Sequence, residues 1–236
     1  MKPKKLSLLL TILPMIIAAT GCHSRQESKA DITPHCINLQ ADSLYRQAIA
    51  LMESSYDVDS TRKCIRFLDK ALAIDSLNPD YYGMKAKLLS EMGELDSALY
   101  IQTLAMEKNV ITGEYLFQLG LLQAAKDMHA EAHESFGKSK VFLQAVLKQY
   151  PDSLGAFILA EAANSLYENK DSLFMRNIDE IRKRFPERLL EIEMTRRVKP
   201  HSLVNQIRRI QIEKDYNIDL EIVSYTHLRA HETRRH

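Results

Sequence analysis

The chain has 236 residues, 45% of them hydrophobic and 27% charged, with seven glycines, seven prolines and no tryptophan. That is enough apolar material for one core of ordinary size, which excludes disorder throughout, and too little turn punctuation for a turn-rich all-β architecture. The net charge of +1 hides an asymmetry: residues 42–181 carry 14 Lys+Arg against 21 Asp+Glu, and residues 182–214 carry 10 against 4. Solvated helix faces, an electrostatic partner, or docking of the basic end on the acidic body each produce such blocks.

The amino terminus has a positive start (Lys2, Lys4, Lys5), an apolar stretch from Leu6 to Ala19 and a small-residue exit, the order of an export signal. As a helix the 14 residues of that stretch span roughly 21 Å, short of the roughly 30 Å of a hydrocarbon core, so cleavage is expected rather than retention. The exit Ala19-Thr20-Gly21-Cys22 resembles the bacterial lipobox. That resemblance implies removal of residues 1–21, lipid on the Cys22 sulfur and acylation of the new amino terminus, which would hold the protein on a membrane. A plain secretory signal with an incidental cysteine is the alternative. Residues 22–41 are polar, contain Pro34 and show no apolar periodicity, which predicts a flexible tether. No acidic cluster follows Cys22, and resemblance to lipoprotein sorting signals then implies a bacterial envelope protein facing the periplasm, on the outer membrane.

From Tyr45 a helical pattern recurs every 34 residues, with units starting at Tyr45, Pro79 and Gly113. Small residues recur in step: Ala86 with Gly120, Cys64 with Ala98 and Ala132, Ala71 with Ala105. Unit two supplies Tyr82, Ala86, Leu89, Gly93, Ala98 and Ala105, and unit three supplies Leu116, Leu119, Gly120, Ala132 and Phe136. Unit one contributes Leu51, Cys64, Leu68 and Ala71, with Met52 where a small residue is expected. Lys85 and Gln102 stand where apolar residues are expected. The amphipathic run Val141, Phe142, Ala145, Val146 carries the second helix of unit three onward until Pro151-Asp152-Ser153 stops it. Unit four then starts at Gly155, eight residues out of phase, with Ile158, Ala162, Phe174, Ile178, Ile181 and Pro186.

This pattern resembles the tetratricopeptide repeat family over residues 45–188. The resemblance implies an all-α protein, an α-solenoid of about four tetratricopeptide-like helix hairpins over residues 42–188, with a helical cap beyond. Pro186 and Pro200 bracket a short helix (Leu189, Leu190, Ile192, Met194), and Leu203, Val204, Ile207 and Ile210 mark another, so residues 189–223 read as capping helices or the start of a further segment. Ile218, Leu220 and Ile222 alternate with Asp219 and Glu221, a period-two hint of a strand. Residues 224–236 resemble translated read-through of a sequencing adapter, so His227, His231 and His236 are given no functional weight.

The resemblance puts the groove lining on the first helix of each unit. For units three and four it implies an apolar partner-binding groove of Phe117, Leu121, Ala124, Leu159, Ala163, Leu166 and Tyr167, with Glu114, Ala125 and Ala156 on the same face. Such a groove accepts an amphipathic helix or apolar peptide, from a partner or from this chain itself. The Lys and Asn of carboxylate-clamp members are absent, because those positions read Ile49/Glu53, Gly83/Lys87, Phe117/Leu121 and Leu159/Ala163. His129 and His133, four apart, have no obvious third ligand and are expected at the surface or groove rim; no metal is assigned. Cys36 and Cys64 face an oxidising compartment, yet Cys64 occupies a small-residue position where burial suffices, and whether they pair is open. No nucleophile elbow, phosphate loop or carboxylate pair emerges, so neither catalysis nor a cofactor is expected, and nucleic acid is not an expected partner of an exported chain. The expected function is a membrane-anchored protein-interaction scaffold. The alternatives are an accessory repeat module of an outer-membrane assembly complex, suggested by a KQYPDS turn resembling that of barrel-assembly lipoproteins, or part of a larger protein with a further carboxyl-terminal domain.

Overall fold

The structure, a computed structural model, describes residues 37–55 and 57–232, with side chains placed as far as Tyr216. Ten α-helices run through the described residues: α1 Leu39–Ser54, α2 Val58–Ile74, α3 Pro79–Glu91, α4 Leu95–Glu107, α5 Gly113–Ala125, α6 His129–Gln149, α7 Leu154–Tyr167, α8 Asp171–Arg184, α9 Leu189–Arg196 and α10 Pro200–Glu232. A 3-10 turn, Pro186–Arg188, precedes α9. Helices pair in sequence as α1 with α2, α3 with α4, α5 with α6 and α7 with α8, and each pair packs on the next. The segment read as the end of the tether is already helical from Leu39.

Local chemistry sets the helix starts. The Asn38 side chain accepts from Gln40 N and Ala41 N, Asp57 from Ser60 N, Asn78 from Asp80 N, Thr112 from Tyr115 N and Ser153 from Ala156 N. Each satisfies an amide that the first turn of its helix leaves without a partner. The ends of α3, α4, α5 and α7 share a second device. Gly93, Asn109, Asp127 and Asn169 have left-handed backbones with φ of 70°, 56°, 59° and 54°. The next amide in each case reaches back five residues: Glu94 to Leu89 O, Val110 to Ala105 O, Met128 to Gln123 O and Lys170 to Ser165 O. This is the left-handed closure that glycine, asparagine and aspartate adopt at lowest cost.

The small-residue positions are close helix contacts. Ala86, Ala98, Ala105, Cys64 and Ala71 are fully buried, and a Cβ on Gly120 would lie 2.6 Å from Phe136 Cε1. Unit one departs from the pattern. Cys64 donates its thiol to Ala48 O at 3.3 Å, and Ala48 is fully buried whereas Met52 is half-buried. The small position of α1 is therefore Ala48, four residues before the place the 34-residue step assigns to Met52. The first hairpin carries one extra helical turn at its tip, and four residues leave the apolar stripe nearly in phase.

Helix α6 has the expected extra length, but the buried residue of the added stretch is Leu143. Val141 and Ala145 point to solvent and Phe142 and Val146 are half-buried. Leu143 and Ser139 seat α6 on the start of α5: a Cβ on Gly113 would lie 2.6 Å from Leu143 Cγ, and Ser139 Oγ donates to Gly113 O at 2.7 Å. The two polar departures also have partners. Lys85 pairs with Asp69, and buried Gln102 donates to Gln118, which donates in turn to Gly83 O, tying α4, α5 and α3 together. Tyr115 donates its hydroxyl to Gln102 O, and burial pushes that phenol well above its ordinary range.

The period-two hint at residues 218–223 does not become a strand. The backbone there continues as α10, because a lone strand has no neighbour to satisfy its amides whereas a helix satisfies them internally. Residues 1–36, among them Cys22 and Cys36, lie outside the described residues.

Candidate functional site

The predicted groove residues come together, but not as an open strip. Phe117, Leu121, Leu159, Ala163 and Leu166 are buried in the main core, and Ala124 is half-buried against it. Phe117 meets Phe136 of α6, ring centres 6.0 Å apart. Tyr167 turns to the preceding hairpin instead: its ring stacks on His133 at 4.1 Å, lies beneath the Lys140 ammonium and fills the space beside Gly137. Glycine at 137 makes that approach possible, which the sequence pattern does not reveal.

Unit two differs at the matching positions. Where units three and four have Leu121/Ala125 and Ala163/Tyr167, it has buried Lys87 and half-buried Glu91, with Lys87 Nζ 3.8 Å from Glu91 Oε1. Burial pulls the Lys87 ammonium below the ordinary lysine range, and the Glu91 charge offsets part of that pull.

Helix α10 lies across α3, α5, α7 and the start of α8. Leu203, Val204 and Ile207 enter the same core as the groove residues. Beside this apolar stripe, its polar side chains meet the tips of three successive hairpins. At the α7–α8 tip, His201 Nδ1 is 2.7 Å from Asp171 Oδ1 and Nε2 is 2.8 Å from Asn169 Oδ1. At the α5–α6 tip, Arg208 donates to Ala124 O at 2.8 Å, to Ala125 O at 3.4 Å and to Asp127 Oδ1 at 2.6 Å. At the α3–α4 tip, Lys214 Nζ is 3.7 Å from Glu94 Oε1 and Leu95 N donates to Gln211 Oε1 at 3.4 Å. A Cβ on Gly93 would lie 3.0 Å from Lys214 Cβ and 3.2 Å from Ile210 O, so α10 runs as close to this tip as a glycine allows.

The spacing has a geometric cause. His201, Arg208 and Lys214 are about two helical turns apart, roughly 10 Å along α10, and neighbouring packed helices stand roughly 8–10 Å apart. One cationic or imidazole side chain of α10 therefore reaches each hairpin, joined at the α3–α4 tip by Gln211. The charges agree: α3, α5 and α7 end at these tips, and Glu94 at the N-cap of α4, Asp127 in the α5–α6 turn and Asp171 at the start of α8 each place a carboxylate opposite α10. Two of the gripped residues, Asp127 and Asn169, are the left-handed turn residues themselves.

The basic end is thus largely engaged within the chain. Arg182 pairs with Glu193, Arg196 with Asp179, Arg208 with Asp127 and Lys214 with Glu94, while Arg184 lies over Phe157 and donates to Pro151 O. Of the three explanations for the charge blocks, docking on the acidic body has direct contacts behind it.

His129 is exposed at 3.8 Å from Asp127, and His133 is occupied with Tyr167. No group of three His, Cys, Asp or Glu among the described residues could hold a metal. Cys64 is a free buried thiol, its pKa raised by burial. No helix among the described residues is long and apolar enough to cross a membrane. The tip residues Gly93, Glu94, Asp127 and Asn169 were not foreseen as a site; the available signal was the 34-residue step from Gly93 to Asp127, two residues tolerant of a left-handed backbone. No protein family, curated protein or solved structure matches the chain.

Proposed function

We propose that this chain is an α-solenoid of four tetratricopeptide-like hairpins, lipid-anchored through Cys22 in a bacterial envelope, and that it serves as a scaffold for a protein or peptide partner. The observation that carries the binding role is α10 itself. An amphipathic helix seats its apolar stripe in the core of the hairpin row and its polar side chains on the tips, so the row is a surface shaped to receive a helix. Direct contacts of this kind make recognition of a macromolecule the favoured use.

Two experiments test the reading. Cys22→Ser should move the protein from the membrane to the soluble fraction with its helicity intact; membrane recovery equal to wild type after carbonate washing would reject the anchor. Removing residues 200–236 should increase hydrophobic-dye binding and the recovery of a stoichiometric partner from detergent-solubilised envelopes. Identical dye binding and an identical set of co-purifying proteins, with the truncated chain still helical by circular dichroism, would reject the scaffold role of this face. Glutamate at Phe117 or Leu159 is not a useful probe, because both are buried and a charge there would unfold the body.

A further inference from the structure

We propose that the row of helix ends at Glu94, Asp127 and Asp171 is a docking site for a partner's amphipathic helix bearing a cationic or hydrogen-bond-donating side chain every two turns, and that α10 fills this site in cis as a displaceable plug. The proposal rests on the scaffold reading and names the chemistry of its partner.

Three observations carry it. The first is periodicity: His201, Arg208 and Lys214 each meet one hairpin tip, so the site recognises spacing along a helix rather than one isolated charge. The second is charge: each tip offers a carboxylate, Glu94 at the N-cap of α4, Asp127 in the α5–α6 turn and Asp171 at the start of α8, and each α10 contact answers with a cation, or with an imidazole that becomes one on protonation. The third is the uneven hold on α10. Its buried apolar residues, Leu203, Val204 and Ile207, lie in its first turns, whereas Ile212, Glu213, Asp215 and Tyr216 are exposed and Ile210, Gln211 and Lys214 only half-buried. Arg208 and Lys214 keep side-chain exposures of 37% and 33%, so solvent reaches both contacts. Release of α10 therefore begins at the α3–α4 tip and proceeds toward its amino-terminal anchor. While bound, the tethered helix competes at a high effective concentration and masks the row from a helix in trans.

A labelled synthetic peptide of residues 200–216, titrated into the full-length protein, tests this without any envelope partner. The wild-type chain should bind it weakly. Arg208→Glu combined with Lys214→Glu in the chain should loosen α10 and tighten peptide binding at least tenfold. Adding Asp127→Arg and Glu94→Arg to that variant should reverse the gain, as should placing the two glutamates in the peptide instead. If charge reversal lowers helicity, Arg208→Gln with Lys214→Gln supplies the loosened chain. Equal affinity in the wild-type and loosened chains, or tight binding that ignores the Asp127 and Glu94 reversals, would overturn the proposal. Peptide binding with no envelope partner would sink the scaffold reading alone; an envelope partner with no peptide binding would sink this one alone.

Discussion

Arg208 and Asp127, 81 residues apart, meet at 2.6 Å, and the same Arg208 guanidinium caps the Ala124 and Ala125 carbonyls at the end of α5. The carbonyl contacts have the greater consequence, because the ion pair is largely exposed and such pairs contribute at most about 1 kcal/mol. Arg208→Ala should cost roughly 1–2 kcal/mol, through lost charge-assisted bonds to the Ala125 carbonyl and to the Ala124 carbonyl, which also accepts from the Asp127 amide at 3.2 Å. Asp127→Asn should cost about 0.5 kcal/mol or less. Urea denaturation of both variants measures the difference; equal losses would mean that the ion pair alone holds α10 here.

Gly120 admits no side chain, because its Cβ would sit 2.6 Å from Phe136 Cε1 and 2.7 Å from Cδ1. Gly120→Ala should destabilise by roughly 1–3 kcal/mol through forced separation of α5 and α6. Phe136→Leu in the same chain should return part of that loss, giving a non-additive double-mutant cycle by thermal denaturation. Strict additivity would show that the two sites do not touch.

The recurring alanines make a parallel case. Ala98 and Ala132 are buried, so Ala98→Leu and Ala132→Leu should each cost roughly 1–3 kcal/mol. The exposed Gln144, on the same helix as Ala132, should accept leucine with a change of about 0.5 kcal/mol or less. Lys126 is a poorer control because it pairs with Asp96 at 2.7 Å. Three equal melting temperatures would contradict the close contacts at these alanines.

Asp57 gives a pH signature. Hydrogen bonds from Ser55 and then from the Ser60 amide and hydroxyl lower its carboxyl to about 2 from the ordinary 3.8. A folded-state pKa below the unfolded one contributes stability that is fully present above about pH 4 and is lost as pH falls towards about 2. Asp57→Asn keeps a helix cap but removes the titration. The stability gap between wild type and Asp57→Asn should therefore narrow between about pH 4 and pH 2, read from urea midpoints at several pH values. A gap constant across that window would mean the carboxylate makes no such bonds.

Helix boundaries were legible because their causes are local. The period places helix starts at Pro79 and Gly113, and Pro151 stops α6 where the pattern requires; the structure adds the cause, caps from Asn78, Thr112 and Ser153 to amides two or three residues away. Close helix contacts were legible as well, since Ala86, Ala98, Ala105 and Gly120 recur at one period. The extra turn in the first hairpin was not. Four added residues are just over one helical turn, so α1 keeps its apolar face while the small position moves from Met52 to Ala48.

The sequence by itself determined an all-helical chain of successive hairpins, because period, caps and small residues act within a turn or between adjacent helices. It also implied an apolar inner face on α5 and α7. Only the tertiary structure decided what lies against that face and which way its rim residues turn. Amphipathic periodicity identifies the apolar side of a helix but not its neighbour. Tyr167 packs against Gly137, and α10 lies across the hairpin tips because one of its polar residues falls on each roughly 10 Å step between stacked helices.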